Sequence, residues 1–158
     1  TDFVISNYYT SNSTEGVMSS IGASFDIRDM FTNMIGISWG IGIDLPKDNY
    51  GNFYNFFFVD SNLGLPVRLS NGDLFSLYLI PQVGLVYTVV TDNYPIEDDY
   101  IDFWAGCSIE ADLNLSLFYV NGSIGFENNL YRLYFDKDGA DLNFYNIKAK
   151  LGLGFYLE

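Results

Sequence analysis

The sequence contains no histidine. That removes the commonest general base and the commonest metal ligand, and with them the conventional serine triad. It has one cysteine, Cys107, too few for an intrachain disulfide or a thiolate metal site. Basic residues are scarce. Lys and Arg total 7 against 20 Asp and Glu, a formal charge of −13, so nucleic acid is excluded as a partner. Charged residues of both signs reach only 17% while aromatics reach 18%, the reverse of the balance that keeps chains disordered. No signal peptide is visible, as expected of a mature, processed chain. One uncharged stretch, residues 74–91, has the length of a short spanning helix. Pro81 lies in its middle and its second half is rich in β-branched residues, which together argue for a strand.

What is present is alternation. Ile35, Ile37, Trp39, Ile41 and Ile43 point one way, while Met34, Gly36, Ser38, Gly40, Gly42 and Asp44 point the other. A helix, with its period of 3.6, cannot segregate residues like that. The same period runs through Ile21, Ala23, Phe25 and Ile27, through Ile101, Phe103, Ala105, Cys107 and Ile109, and through Tyr145, Ile147, Ala149, Leu151, Leu153 and Phe155. Strands are therefore expected near 2–10, 17–28, 33–45, 53–69, 74–90, 100–113, 116–135 and 142–157. Short turns at 29–32, 70–73 and 113–115 alternate with longer polar loops at 11–16, 46–52, 91–99 and 136–141. Asn71-Gly72 is a two-residue hairpin signal, because both residues tolerate positive φ. The expected fold is all-β: one domain over residues 1–158, an antiparallel up-and-down barrel of about eight strands.

Alternation alone does not say which face meets water. Three features place the apolar face in lipid. A barrel of about eight strands has little interior room, so the Gly- and Ser-rich face belongs inside. The charges Asp26, Asp44, Asp60, Arg68, Glu110, Asp112, Glu127, Lys148 and Lys150 all fall on that small-residue face. The apolar stretch of residues 35–43 matches a tilted spanning strand. Aromatics near strand ends (Tyr8, Tyr9, Tyr50, Phe53, Tyr94, Tyr100, Tyr134, Phe135, Phe144 and Tyr145) suggest interfacial belts. Against this, Ser61 falls on the lipid side, and Tyr54, Phe56, Phe58, Ile80 and Val86 fall on the lumen side. Pro81 is expected to mark a bulge. A parity slip near Asn128-Asn129 reads as a bulge that returns Arg132 to the inside. The competing arrangement is a soluble barrel that binds an apolar ligand between Trp39, Phe57, Leu79, Leu85 and Phe103.

The whole chain resembles, in pattern and without a residue motif, the small outer-membrane β-barrels of the OmpX, OmpA-domain and opacity-protein type. Its last strand, ending in Phe155-Tyr156-Leu157, looks like the C-terminal recognition strand of that class, although the final residue is Glu158 where the family usually has Phe or Trp. The resemblance implies a bacterial outer-membrane location with outer-membrane lipid around the barrel. It also implies recognition of the last strand by the barrel-assembly machinery. Its lipid A acylases, deacylases and peptidases rely on histidine, so their activities are not implied here.

The lumen set Asp60, Glu110, Arg132, Lys148 and Lys150 reads as an ion-pair plug, with Glu110 and Lys150 expected to meet across the lumen. The loop bearing Asp92, Glu97, Asp98 and Asp99 reads as solvated, with a basic or cationic partner or Ca²⁺ as its functional alternative. The stretch 136–141 lacks the distal Glu of a calcium loop, and Asp138-Gly139 reads as a hairpin turn. Cys107 reads as a small hydrophobe, and the tripeptide Asn12-Ser13-Thr14 carries no weight as a sequon. The expectation is a non-enzymatic, cofactor-free membrane barrel with a structural or surface-interaction role. A soluble ligand binder and a narrow small-solute channel are the alternatives.

Overall fold

The computed structural model describes residues 1–12, 19–48, 50–90, 100–134 and 140–157. The strands are β1 (Asp2–Asn12), β2 (Ser19–Met30), β3 (Gly36–Lys47), β4 (Phe56–Gly64), β5 (Val67–Asn71), β6 (Phe75–Val90), β7 (Tyr100–Asn114), β8 (Phe118–Tyr134) and β9 (Ala140–Tyr156). They pair antiparallel in the order β4-β3-β2-β1-β9-β8-β7-β6-β5, and β4 also pairs with β6, which closes the sheet on itself. β4 and β5 are two pieces of one stave. β4 and the start of β5 lie against β6 in one register, with Gly64 opposite Gln82 and Val67 opposite Leu79, before the register shifts between Arg68 and Ser70. The barrel therefore has the eight staves that the alternation predicts.

Two prolines divide that stave. The Leu65 N–H donates to the Pro81 carbonyl at 2.9 Å. Pro81 has no N–H to return, and Pro66, next along, has none either. The expected bulge at Pro81 is absent: β6 runs past β7 through the pair Pro81–Cys107 with no shift of register there. Proline here removes a ladder bond and adds no residue. The bulge expected beyond Asn128-Asn129 is present, with the register shifting between Asn129 and Tyr131. Leu130 and Tyr131 both face outward and Arg132 returns to the lumen.

The turn at Asn71-Gly72 differs from its sequence signal. Asn71 pairs with Ser76, and the Gly72 N–H donates to the Phe75 carbonyl at 2.8 Å. Neither Asn71 nor Gly72 has positive φ. A two-residue hairpin there would pair Ser70 with Asp73 and put Arg68 on the face of Phe75. The strands instead meet in a longer turn, and a register shift between Arg68 and Ser70 brings Arg68 round to the side of Tyr78, whose hydroxyl it reaches.

The apolar face is outside. Ile37, Trp39, Ile41 and Ile43 are 40–51% exposed, and their neighbours Phe25, Leu63, Leu85 and Phe103 are exposed as well. Trp39, Leu85 and Phe103 thus form part of an outer belt instead of lining a soluble barrel's pocket. Phe57 and Leu79, half-buried at positions of the same parity, do likewise. Water would leave that surface unfavourable over the whole girth, so it is a lipid-facing belt. Replacing mid-belt Ile41 with Arg is expected to cost about 2–4 kcal/mol of stability in bilayers. The same change at Leu117, in a short turn and 84% exposed, should be near neutral, as urea unfolding in lipid vesicles would show.

Two aromatics expected in that belt, Tyr8 and Tyr100, point inward and are buried. They share strand parity with Ser6 and Asp102 respectively, which face the lumen. Tyr9, Tyr50, Phe53 and Tyr145 are exposed. Tyr94, Phe135 and the side chains of Tyr134 and Phe144 lie outside the described residues. The lumen is accordingly less small-sided than the sequence suggests. Trp104, Tyr119, Tyr78, Phe56 and Ile80 fill it, and glycines make the room. A Cβ on Gly84 would sit 2.6 Å from the Trp104 ring, and one on Gly154 would collide with the Tyr119 ring.

The loop after β3 is a tight structure organised by Asp48. Its carboxylate accepts from the Tyr50 and Asn52 N–H groups at 2.8 and 2.9 Å and from Asn52 Nδ2 at 3.1 Å, and Gly51 turns through φ 85°. Hydrogen bonds from Asn52, then from Tyr50 and Gly51, hold the Asp48 carboxyl below its ordinary pKa. A depressed carboxyl stabilises the turn above the unfolded pKa and loses that contribution as pH falls through the lowered value. The Tyr50 and Asn52 amide resonances should therefore shift together below the usual aspartate range, with global stability unaffected.

Candidate functional site

The lumen is lined by even-spaced polar positions of every stave, and the register of the strands stacks their charges in tiers. At the end of the short turns, Arg28 is the hub. Its Nη1 lies 2.6 Å from Glu110 Oε1, and its Nη2 lies 2.8 Å from Asp2 Oδ2 and 2.6 Å from Asp112 Oδ2. Nε donates to Asp2 as well, and Nη2 also reaches the Tyr119 hydroxyl at 3.2 Å. The guanidinium carbon stands 4.1 Å from the centre of the Tyr78 ring. Asn121 Nδ2 donates to the second oxygen of Asp112 at 2.7 Å. Arg28 is 4% exposed, so these are charge-assisted bonds in a dry site, where geometry and full pairing decide whether burial is tolerated.

Midway along the barrel, Lys150 Nζ lies 3.1 Å from Asp26 Oδ1. Beside it, Lys148 Nζ lies 2.7 Å from Asp60 Oδ2 and 3.1 Å from Glu127 Oε1, and Trp104 Nε1 donates to Asp60 Oδ1 at 3.3 Å. Nearer the long loops, Arg132 grips Asp102 through two bonds of 2.6 and 2.7 Å and covers the Tyr100 ring at 3.8 Å. Asp44 is buried and accepts from Ser20 Oγ at 3.1 Å, with no basic side chain within ion-pair distance among the described residues.

All five lumen residues singled out from the sequence, Asp60, Glu110, Arg132, Lys148 and Lys150, lie in these tiers. Their partners differ from expectation. Glu110 is met by Arg28, and Lys150 is met by Asp26; Glu110 and Lys150 form no direct ion pair. Arg28 and Asp2 are the residues that sequence reasoning passed over. A signal for them existed, since antiparallel pairing of the first two strands brings the start of β1 alongside the end of β2, where Arg28 stands opposite Asp2. The acidic loop residues Asp92, Glu97, Asp98 and Asp99 lie outside the described residues, as does Asp138-Gly139. Among the described residues no cluster of three or more candidate ligands could hold a metal ion.

Two spaces lie within the lumen. One, of about 40 Å³, is lined among others by Asp26, Arg28, Glu110, Lys148 and Lys150. The other, of about 260 Å³, lies toward the long-loop end between Thr10, Asp44, Asn129, Arg132, Asn146 and Lys148. The lumen therefore widens above Lys148 and narrows to almost nothing between Lys150 and Arg28.

No protein-family model matches the chain, and no curated protein matches it in sequence. Its fold does match solved structures. Neisserial surface protein A superposes with a TM-score of 0.72 at 7% identity, over 99% of this chain and 96% of that one. The outer membrane protein OprG of Pseudomonas aeruginosa gives 0.64 at 12% identity, over 98% and 94%. The outer membrane enzyme PagL gives 0.54 at 13% identity, over 98% and 99%. The chain has the fold of the small outer-membrane β-barrels, an eight-stave closed antiparallel barrel.

Proposed function

We propose that this protein is an integral barrel of a bacterial outer membrane, with a structural or surface-interaction role, and that its own side chains close the lumen. The observation that carries this reading is the Arg28 hub, where one guanidinium is held by carboxylates from β1 and β7 across the bore. A conducting path needs mobile or solvated groups at its narrowest point. A fully paired guanidinium between Asp2, Glu110 and Asp112 is neither. The non-enzymatic reading is supported by the lack of histidine and by the engagement of Asp60, Asp102, Glu110, Asp112 and Glu127 in ion pairs. That PagL is an enzyme on the same fold makes the residues, and not the architecture, the ground for this part of the proposal. The surface role would fall to the long loops, whose acidic residues Asp92, Glu97, Asp98 and Asp99 suit a basic partner. The last strand, β9, is proposed as the segment read by the assembly machinery.

The test combines mobility and charge reversal. The chain refolded into detergent should run faster on SDS gels unboiled than boiled. Lys150→Glu sets a second carboxylate against Asp26 in a site about one-fifth exposed and should cost about 2 kcal/mol of stability, discounted from the fully buried case. In planar bilayers the native protein should pass no steady current. Unchanged unfolding of the variant together with a shifted ion selectivity would identify a channel instead.

A further inference from the structure

The 260 Å³ space above Lys148 has features that a closed plug does not require. Its walls include the Thr10 hydroxyl, the Asn129 amide oxygen and the Asn146 amide oxygen, each buried and without a hydrogen-bond partner among the described residues. Thr10 and Asn129 are only 9% and 4% exposed. Buried polar atoms are nearly always satisfied, so three on one wall are a specific feature. All three can accept a hydrogen bond. Asp44, lining the same space and 5% exposed, has Ser20 as a donor and no cation within ion-pair distance among the described residues, Lys148 acting on it only from farther off. The nearby basic groups are already committed, Lys148 to both Asp60 and Glu127 and Arg132 to Asp102. Lining this space, three carboxylates, Asp44, Asp102 and Glu127, stand against two cations, and one of these, Lys148, is shared with Asp60 beyond the lining. The unmet demand is thus for hydrogen-bond donors that bring positive charge.

We infer that this vestibule is a binding site for a small organic cation rich in N–H donors, of the aliphatic amine class. Its ammonium would face Asp44 and the acceptors Thr10, Asn129 and Asn146, while the apolar walls of Phe58 and Val86 would take its methylenes. The space is large enough for such a solute, and below it the Lys148 and Arg28 tiers block onward passage, so the site would hold its ligand and not conduct it. The inference rests on the closed-lumen barrel proposed above.

The test is a calorimetric titration of the full chain, in nonionic detergent, with 1,4-diaminobutane. The protein is first shown to be folded by its unboiled gel mobility, so that a missing heat of binding counts against the site and not against the membrane barrel. Saturable binding is expected. Asp44→Asn, which keeps the shape and removes the charge, should weaken it by about tenfold or more. Thr10→Val, isosteric but without the acceptor, should weaken it several-fold and carries the test if Asp44→Asn does not fold. The uncharged 1,4-butanediol should not compete. Absence of saturable binding would overturn the inference, leaving water as the occupant of the cavity. So would equal binding by both variants, which would move the amine to the acidic loops outside the barrel.

Discussion

Replacing Arg28 with Met is expected to lower the stability of the folded barrel by about 3–5 kcal/mol, the largest single effect in the molecule. The substitution conserves much of the volume but strands three carboxylates, Asp2, Glu110 and Asp112, around an uncharged side chain. Asp112 is 1% exposed, so water cannot replace the guanidinium without opening the turn end of the barrel. The penalty comes from the uncompensated acids and not from the worth of the pairs themselves. It follows that Arg28→Met combined with Glu110→Gln and Asp112→Asn should recover a large part of the loss. Arg28→Lys should recover less than its retained charge suggests. A single ammonium cannot present the flat fork that meets Asp2 along one edge while reaching Glu110 and Asp112 on the other side. Urea midpoints in lipid vesicles, read by the gel shift, give the ranking. A single Arg28→Met variant as stable as the native chain would remove the hub from the energetics and with it the main support for a closed lumen.

Lys148→Met should come next, again at about 3–5 kcal/mol. Lys148 is the sole basic group within ion-pair distance of both Asp60 and Glu127 among the described residues, and both acids are almost fully buried. Two facing carboxylates without a cation repel as well as lack solvation. The Trp104 N–H can still serve Asp60, so Glu127 is the more exposed to the loss. Asp60→Asn with Glu127→Gln in the Lys148→Met background should restore most of the stability. A cycle built from these variants separates the ion-pair contribution from the cation–π contacts of the ammonium with Tyr8 and Trp104. If the rescued triple variant also keeps the unboiled mobility of the native barrel, the tier is a stabilising device with no further requirement for its charges. Steady conductance appearing in Lys148→Met alone would mean that this tier, and not only Arg28, closes the bore.

How far the lumen was legible in the sequence depends on which property is asked for. Membership of the inner face was legible, because period two assigns a side to each residue without knowledge of any partner. Arg132 is the sharpest case. A parity slip near Asn128-Asn129 implied a bulge, and the bulge at Leu130 does turn Arg132 inward against Asp102. Local turn chemistry misled at Asn71-Gly72, where the strands meet in a longer turn and a register shift between Arg68 and Ser70, not the turn, brings Arg68 to Tyr78. Composition misled about crowding, since a face rich in glycine also carries Trp104 and Tyr119, and the glycines are there to receive them.

The sequence by itself determined the number of staves, their up-and-down order, and the division of each strand into two faces. Those properties follow from alternation and from the spacing of polar breaks, both of which are local along the chain. Only the tertiary structure decided which charge meets which. Glu110 finds Arg28 across 82 positions of sequence and Lys150 finds Asp26 across 124. Contacts of that kind depend on the closure of the first strand, β1, against the last, β9, and on the stagger of each strand, which set the height of every side chain in the bore. A one-step slip of two residues in any hairpin would preserve the alternation and reassign the pairs. The same closure gathers Thr10, Asp44, Asn129 and Asn146 around one space.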